Sequence, residues 1–292
     1  MEEIIKLVMA DVDGTLLGSD QRVDPQTIRA IRAIREKRIL FGLCTGREEK
    51  SVLDSLQDWG IEGLVDVVIS SGGGVLHDLL LEKQVRFGTL SRQTVLEIMA
   101  HHQDQEVNFV IPDDGILWTT VDDDLIRVLS RVDRVPYRKV SLEEFLHTSR
   151  QKVMLMCDER NMPAIRERAA SFRGSQIQVA PLVTASILLE YMDKDISKSA
   201  ALSEELKIRG LKPENLLVFG DQDNDADMLE FAGVGVCMAN GTEKSRKAAD
   251  FVTADNDHAG IAKFLTEHLL WNGSREENEA GSRERKNEDH EN

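Results

Sequence analysis

Lys6-Leu7-Val8-Met9-Ala10-Asp11-Val12-Asp13-Gly14-Thr15 runs a short apolar, β-favouring stretch straight into two acids, a glycine and a threonine. A strand ending in such a polar cluster is the first half of a strand–turn–helix unit, and the helix follows. Asp24-Pro25 supplies an N-cap and a proline at the first helical position, and Ile28, Ile31 and Ile34 give one apolar face. The unit then repeats. Leu40-Phe41-Gly42-Leu43-Cys44 reads as a buried strand ending at Thr45-Gly46-Arg47; a helix through Val52, Leu53 and Leu56 is stopped by Gly60; and a third strand, Val65 to Ser70, runs into Gly72-Gly73-Gly74. Near-continuous apolar strands alternating with helices predict an α/β fold, a doubly wound parallel sheet covered on both faces.

Residues 82–190 have a different texture. Ser91 caps a helix carrying Val95, Ile98, Met99 and His102, Phe109-Val110-Ile111 and Ile116-Leu117-Trp118 pair across a turn at Pro112-Asp113-Asp114-Gly115, and Val153–Met156 forms a strand before a helix from Met162 to Phe172. This segment is expected to be an inserted α+β module, splitting a discontinuous core of residues 1–81 and 191–271. In the second part of that core Ser197 caps a helix through Leu202 and Leu206. Leu216–Phe219, Val234–Met238 and Phe251–Thr253 are strands, and a helix runs from His258 to Leu270. Residues 272–292 are rich in Glu, Arg, Asn, Ser and Gly and nearly free of apolar side chains, so a disordered tail is expected there.

A net charge of −16 argues against nucleic acid or an anionic membrane as partner, because phosphate backbones and headgroups need a basic footprint. The longest apolar runs are strand-sized, and Met1-Glu2-Glu3 leaves no room for a signal peptide, so a cytoplasmic chain with no membrane span is expected. Cys44, Cys157 and Cys237 lack pairing or ligand spacing and read as reduced structural thiols. Oligomeric state is not legible.

Four segments carry chemistry, and three end predicted strands, the edge of a parallel sheet where ligands bind. Asp11 and Asp13, two residues apart, allow one carboxylate to attack phosphorus while the other moves a proton; the alternative is a polar turn. Thr45-Gly46-Arg47 offers a hydroxyl and backbone N–H groups to a phosphate oxygen, or merely an N-capping threonine. Lys198 near a helix start could neutralise the acids, although a lone helical lysine is ordinarily solvated. Gly220-Asp221-Gln222-Asp223-Asn224-Asp225-Ala226-Asp227-Met228 packs acids that call for a cation, and Mg²⁺ suits them. An EF-hand loop is rejected, since counting from Asp221 its sixth and twelfth places hold Ala226 and Ala232.

Taken in this order, Asp-x-Asp-Gly-Thr, Thr-Gly-Arg, Lys198 and Gly-Asp-x-x-Asn-Asp-x-x-Met resemble the haloacid dehalogenase superfamily. The large insertion is similar to that of the Cof-type phosphatases with an α/β (type IIB) cap. The resemblance spans about Leu7 to Leu270. It implies a Rossmann-like core and a Mg²⁺-dependent phosphatase acting on a sugar phosphate or another small phosphorylated metabolite through an aspartyl phosphate. Carried over by residue, it implies Asp11 as nucleophile and metal ligand, and Asp13 as acid/base that also offers its carbonyl to the metal. Thr45, Gly46, Lys198 and Asn224 would hold the phosphoryl group; Asp221 would be a further metal ligand and Asp225 would orient water at the metal. Asp223 and Asp227 receive no role, and Ser70–Gly74 departs from the asparagine–glycine pair often found there. A phosphomutase, a phosphometabolite sensor and a receiver domain are the rival readings. The last needs neither the Asp11/Asp13 pair nor an insertion of this length. His77, His101 and His102 are expected to be surface or half-buried imidazoles.

Overall fold

The computed structural model describes residues 4–175 and 179–270. The expected disorder of 272–292 concerns residues outside that description.

Strands β1 (Leu7–Ala10), β2 (Leu40–Cys44) and β3 (Val67–Ser70) lie parallel. β4 (Val75–Asp78) and β5 (Lys83–Arg86) then turn back as antiparallel neighbours and extend the same sheet. β6 (Asn108–Asp113), β7 (Ile116–Thr119), β8 (Tyr137–Lys139), β9 (Lys152–Met156), β10 (Val179–Ala185) and β11 (Leu188–Asp193) build a second sheet, ordered β10-β11-β9-β6-β7-β8. β12 (Leu216–Gly220), β13 (Val234–Cys237) and β14 (Phe251–Val252) return to the first, ordered β14-β13-β12-β1-β2-β3-β4-β5. The doubly wound sheet is therefore present, with an antiparallel edge added. Sheet membership changes between Arg86 and Asn108 on the way out and after Asp193 on the return, so β5 lies past residue 82 yet pairs in the larger sheet.

The helices are α1 (Pro25–Glu36), α2 (Glu49–Ser55), α3 (Arg92–His101), α4 (Asp124–Val132), α5 (Leu142–Phe145), α6 (Met162–Ala170), α7 (Lys198–Arg209), α8 (Ala226–Phe231), α9 (Glu243–Ala248) and α10 (Gly260–Leu265). Strand alternation sorts β1 between two cores. Val8 and Ala10 join Ile31, Ile34, Val52 and Phe264 on one face, whereas Leu7 and Met9 join Leu202, Leu206 and Met228 on the other. The Asp24 side chain accepts from the Gln26 N–H and Ser197 from that of Ala200, so the caps start α1 and α7 where the sequence places them.

In the inserted sheet, Val95, Ile98, Phe109, Leu155 and Tyr191 pack with α3 and α6 on one face. Val110, Leu117, Ile126, Met154 and Met156 lie on the other, which α4 covers in part. The β6–β7 turn is tighter than the sequence suggests. β6 runs on to Asp113, opposite Ile116, and only Asp114 (φ 49°) and Gly115 (φ 70°) turn, the left-handed pair of a two-residue hairpin. His102 is fully buried between Gln105 (2.6 Å) and the Tyr191 hydroxyl (2.8 Å), a satisfied core imidazole. His101 contacts the Arg168 carbonyl and Phe172, and His77 pairs with Glu49. Cys44, Cys157 and Cys237 are buried free thiols.

Candidate active site

Each core segment singled out in the sequence ends at one edge of the larger sheet. Asp11 leaves β1 buried, and its Oδ1 receives the Lys198 ammonium at 2.5 Å. Lys198 is the first residue of α7 and, against the ordinary expectation for a helical lysine, is 1% exposed. Its Nζ also donates to Asp225 Oδ1 at 2.6 Å. The second Asp225 oxygen accepts the main-chain N–H groups of Asp221 and Gln222, both at 2.9 Å, which folds the loop after β12 back on itself. Asp221 in turn accepts from the Thr15 hydroxyl (2.7 Å) and the Gln222 amide (2.7 Å). Oxygen atoms of Asp11, Asp221 and Asp225 lie within 4.8 Å of one another.

Three buried carboxylates around one ammonium leave negative charge uncompensated. Burial, opposed by Lys198 and reinforced by Asp225 and Asp221, pushes the Asp11 carboxyl well above the usual range. Burial likewise lifts Asp221 to about 6. Burial disfavours a charged Lys198, but Asp11 and Asp225 outweigh it and hold the ammonium well above its ordinary value. A hard divalent cation with oxygen ligands is the chemical complement of such a group. Asp225 accepts three hydrogen bonds across its two oxygens, against two for Asp221 and one for Asp11 among the described contacts, so Asp11 and Asp221 keep the most lone-pair capacity for an ion.

Gly14 makes the Thr15–Asp221 contact possible. Its φ is +80°, and a Cβ there would sit 2.5 Å from Asp221 Oδ2. Gly14→Ala is expected to destabilise the fold by ~1–3 kcal/mol through left-handed strain, with Asp221 displaced in addition, and thermal melting of the variant measures the loss.

Asp13, like Asp11, lines a cavity of about 200 Å³ between the two sheets. The Arg47 guanidinium holds it as a fork, Nε to Oδ2 at 2.8 Å and Nη2 to Oδ1 at 2.6 Å. Arg47 is itself 4% exposed and donates from Nη1 to the Val132 carbonyl of the inserted domain at 3.1 Å. The Thr-Gly-Arg stretch by itself assigns Arg47 no role. Thr45 is not a helix cap, since α2 begins at Glu49; its hydroxyl accepts the Arg47 N–H at 3.1 Å and it lines the cavity with Gly46. A Cβ on Gly46 would meet nothing within 4 Å, so this position borders open space.

The Ser70–Gly74 segment braces this loop, with Ser71 N–H on the Arg47 carbonyl (2.7 Å) and Gly72 N–H on that of Thr45 (2.9 Å). Asn224 lines both the Asp13 cavity and a neighbouring one of about 390 Å³ that includes Lys198. Asp227 accepts the Ser199 N–H at 3.0 Å and anchors the start of α7, while Asp223 accepts from Thr242.

The inserted domain closes on these loops through Gly115 N–H to Glu48 (3.0 Å), Lys152 Nζ to the Gly46 carbonyl (3.0 Å) and the Ser51 hydroxyl to the Asp133 carbonyl. It brings Asp133, Lys152 and Glu190 to the cavity wall, none of them marked by any motif. Burial raises Asp133 to about 6 and lifts Glu48 as well.

The family model for haloacid dehalogenase-like hydrolases matches residues 8–265. The chain is 27% identical over 272 residues to the 5-amino-6-(5-phospho-D-ribitylamino)uracil phosphatase YitU of Bacillus subtilis (strain 168), covering 92% of this chain and 99% of that protein. It is 27% identical over 282 residues to the putative phosphatase MG265 of Mycoplasma genitalium, covering 91% and 99%. Among solved structures, a haloacid dehalogenase-like hydrolase from Bacteroides thetaiotaomicron superposes with a TM-score of 0.80 at 22% identity, covering 90% of this chain and 99% of that one. The HAD subclass IIB sugar phosphatase BT4131 superposes at 0.77 with 23% identity, covering 90% and 98%. Likeness at that identity concerns the fold, which is the same core with an inserted cap. Among the described residues no helix is long and apolar enough to cross a membrane.

Proposed function

The chain belongs to the haloacid dehalogenase-like hydrolases, and we propose that it is a Mg²⁺-dependent phosphatase that hydrolyses a small phosphate monoester through a phosphorylated Asp11. Phosphatase chemistry is common to its named relatives; metal, intermediate and residue roles are our reading. The observation that carries it is the meeting of Asp11, Asp221 and Asp225 around Lys198, with Asp13 at the adjoining cavity.

Asp11 Oδ attacks phosphorus in line, and the phosphoryl group is held by Thr45, Gly46, Asn224 and the Lys198 ammonium. Asp13 carries a proton to the departing alcohol oxygen, for which it must exchange at least one bond to Arg47. In the second step Asp13, again an acceptor, takes a proton from water as that water attacks the phosphoryl group on Asp11. Lys198, bonded to Asp11 before the reaction, opposes charge on the transferring oxygens. Asp11, Asp221 and the Asp13 main-chain carbonyl would hold Mg²⁺, which when bound adds positive charge against the phosphoryl oxygens and carboxylates. The cap excludes bulk water and frames the alcohol.

Metal removal tests the reading. Activity is expected to disappear in EDTA and return with Mg²⁺. The linkage to pH has a definite sign. Asp221, lifted by burial from 3.8 to about 6, favours the metal-free fold most below pH 4, and that contribution is lost as pH rises through 6. Because the ion needs the carboxylate, the Mg²⁺-induced rise in Tm should be small at pH 5 and grow through pH 6 to 7.5. A Mg²⁺ shift as large at pH 5 as at pH 7.5 would contradict it.

A further inference from the structure

Resting on that reading, we propose that the cavity selects phosphate monoesters whose alcohol portion offers a hydroxyl to the buried Lys152–Glu190 pair and carries no second anionic group. Asp13 lines the cavity of about 200 Å³ and not the neighbouring one, so the leaving oxygen it protonates, and the alcohol behind that oxygen, enter here. The volume is that of roughly seven waters at ~30 Å³ each, and because Asp11, Thr45, Gly46 and Asn224 also line it, it takes a phosphoryl group together with a short alcohol portion. Part of the wall is apolar: Pro112, Leu117, Leu129 and Val135 face in from the cap.

The charged groups decide the rest. Two cations line the cavity, and both are engaged: Arg47 on the two oxygens of Asp13, and Lys152 on Glu190 Oε1 at 2.7 Å and the Gly46 carbonyl at 3.0 Å. Facing them are the carboxylates of Glu48, Asp133 and Glu190 as well as those of Asp11 and Asp13. A second phosphate or a carboxylate on the substrate would be desolvated among five carboxylates with only one uncommitted N–H of Lys152 to meet it, and the like-charge contacts that remain disfavour such a ligand.

The Lys152–Glu190 pair is built for a neutral polar group. The two residues sit on neighbouring antiparallel strands, offset by two, on the sheet face that looks toward the site. Their side chains are 5% and 4% exposed. An ion pair so buried adds little stability over apolar residues of equal size. The ammonium has three N–H donors, two of them committed to the bonds above. One donor beside a carboxylate that can accept matches a hydroxyl, which both accepts and donates.

The test measures kcat/KM with Mg²⁺ on a short polyol monophosphate, the corresponding bisphosphate, the corresponding phosphorylated sugar acid, and p-nitrophenyl phosphate. The polyol monophosphate is expected to exceed the bisphosphate and the acid at least ~10-fold, a typical discrimination for one unpaired buried charge. A second arm replaces the pair together, Lys152→Met with Glu190→Leu, so that no lone charge is left buried. The ratio of polyol monophosphate to p-nitrophenyl phosphate should then fall ~10-fold or more, as expected for lost hydrogen bonds to charged groups. Should the double variant not fold, Glu190→Gln must lower the same ratio. Bisphosphates or sugar acids hydrolysed as well as the monophosphate, or an unchanged ratio in the variant, would overturn the inference while leaving the phosphatase intact. Failure to hydrolyse any monoester, p-nitrophenyl phosphate included, would overturn both the inference and the function beneath it.

Discussion

Asp11→Asn is expected to abolish turnover, and Asp13→Asn to lower it by ~10²–10⁴-fold, the usual worth of a positioned acid/base. The two losses should differ in kind. An amide at position 11 keeps the shape of the site and a partner for Lys198, but it cannot become an acyl phosphate, so no phosphorylated protein forms with any substrate. An amide at position 13 removes proton transfer and leaves the nucleophile. With p-nitrophenyl phosphate, whose leaving group needs no proton, the first step survives and the second, which needs a base for water, stalls. Rapid-quench assays should therefore show a burst of nitrophenol approaching one per chain in Asp13→Asn and none in Asp11→Asn. Peptide mapping after an acid quench should find the phosphoryl group on the Asp11 peptide. Wild-type activity in Asp11→Asn, or a burst from that variant, would remove Asp11 from the mechanism. A phosphometabolite sensor, the non-enzymatic rival, would yield neither turnover nor burst from the wild type.

Much of this arrangement is readable from the chain because its signals are local. Alternation in Leu7–Ala10 assigns each side chain to a face, Asp24-Pro25 and Ser197 fix where helices begin, and the acids after β1 and β12 fall at strand ends by construction. The unread parts depend on contacts between distant residues. Lys152 and Glu190 are 38 positions apart and meet only through the register of β9 and β11. The Arg47 fork on Asp13 joins residues 34 apart, and nothing in Thr-Gly-Arg indicates which carboxylate the guanidinium will face. The family resemblance implies that Asp225 orients water at the metal, but not that the turn of the loop aims one of its oxygens at two backbone N–H groups and the other at Lys198. β5 was missed because Lys83–Arg86 is a solvated edge strand whose charged side chains read as loop, a common protection for a sheet edge. α4 went unread for no such reason: Leu125, Val128, Leu129 and Val132 recur at helical spacing behind the Asp123 N-cap, a stripe the sequence displays.

Lys198→Met should unfold the metal-free protein earlier as well as stop catalysis, and this combination distinguishes a built active site from a surface ion pair. The ammonium is enclosed with Asp11 and Asp225, and no other cation bonds to either carboxylate among the described contacts. Removing one member of a buried pair typically costs ~3–5 kcal/mol, because the remaining charge is desolvated without compensation. For a chain of this size that corresponds to a fall in Tm on the order of 10 °C in EDTA at pH 7.5. Two changes of condition should reduce the loss. Lowering the pH to 5 protonates Asp221, which burial has raised to about 6, and so relieves part of the repulsion around Asp11 and Asp225. Adding Mg²⁺ at pH 7.5 replaces one positive charge with two in the same acidic cluster, and should recover stability without recovering turnover, because the ammonium that opposes charge on the phosphoryl oxygens is gone. A surface lysine would yield none of this, since exposed pairs are worth ~1 kcal/mol or less. Melting curves of wild type and Lys198→Met at the two pH values, with EDTA and with Mg²⁺, measure every term; a variant that melts like wild type in EDTA at pH 7.5 would mean that Lys198 is not the counter-charge on which the folded carboxylate cluster depends.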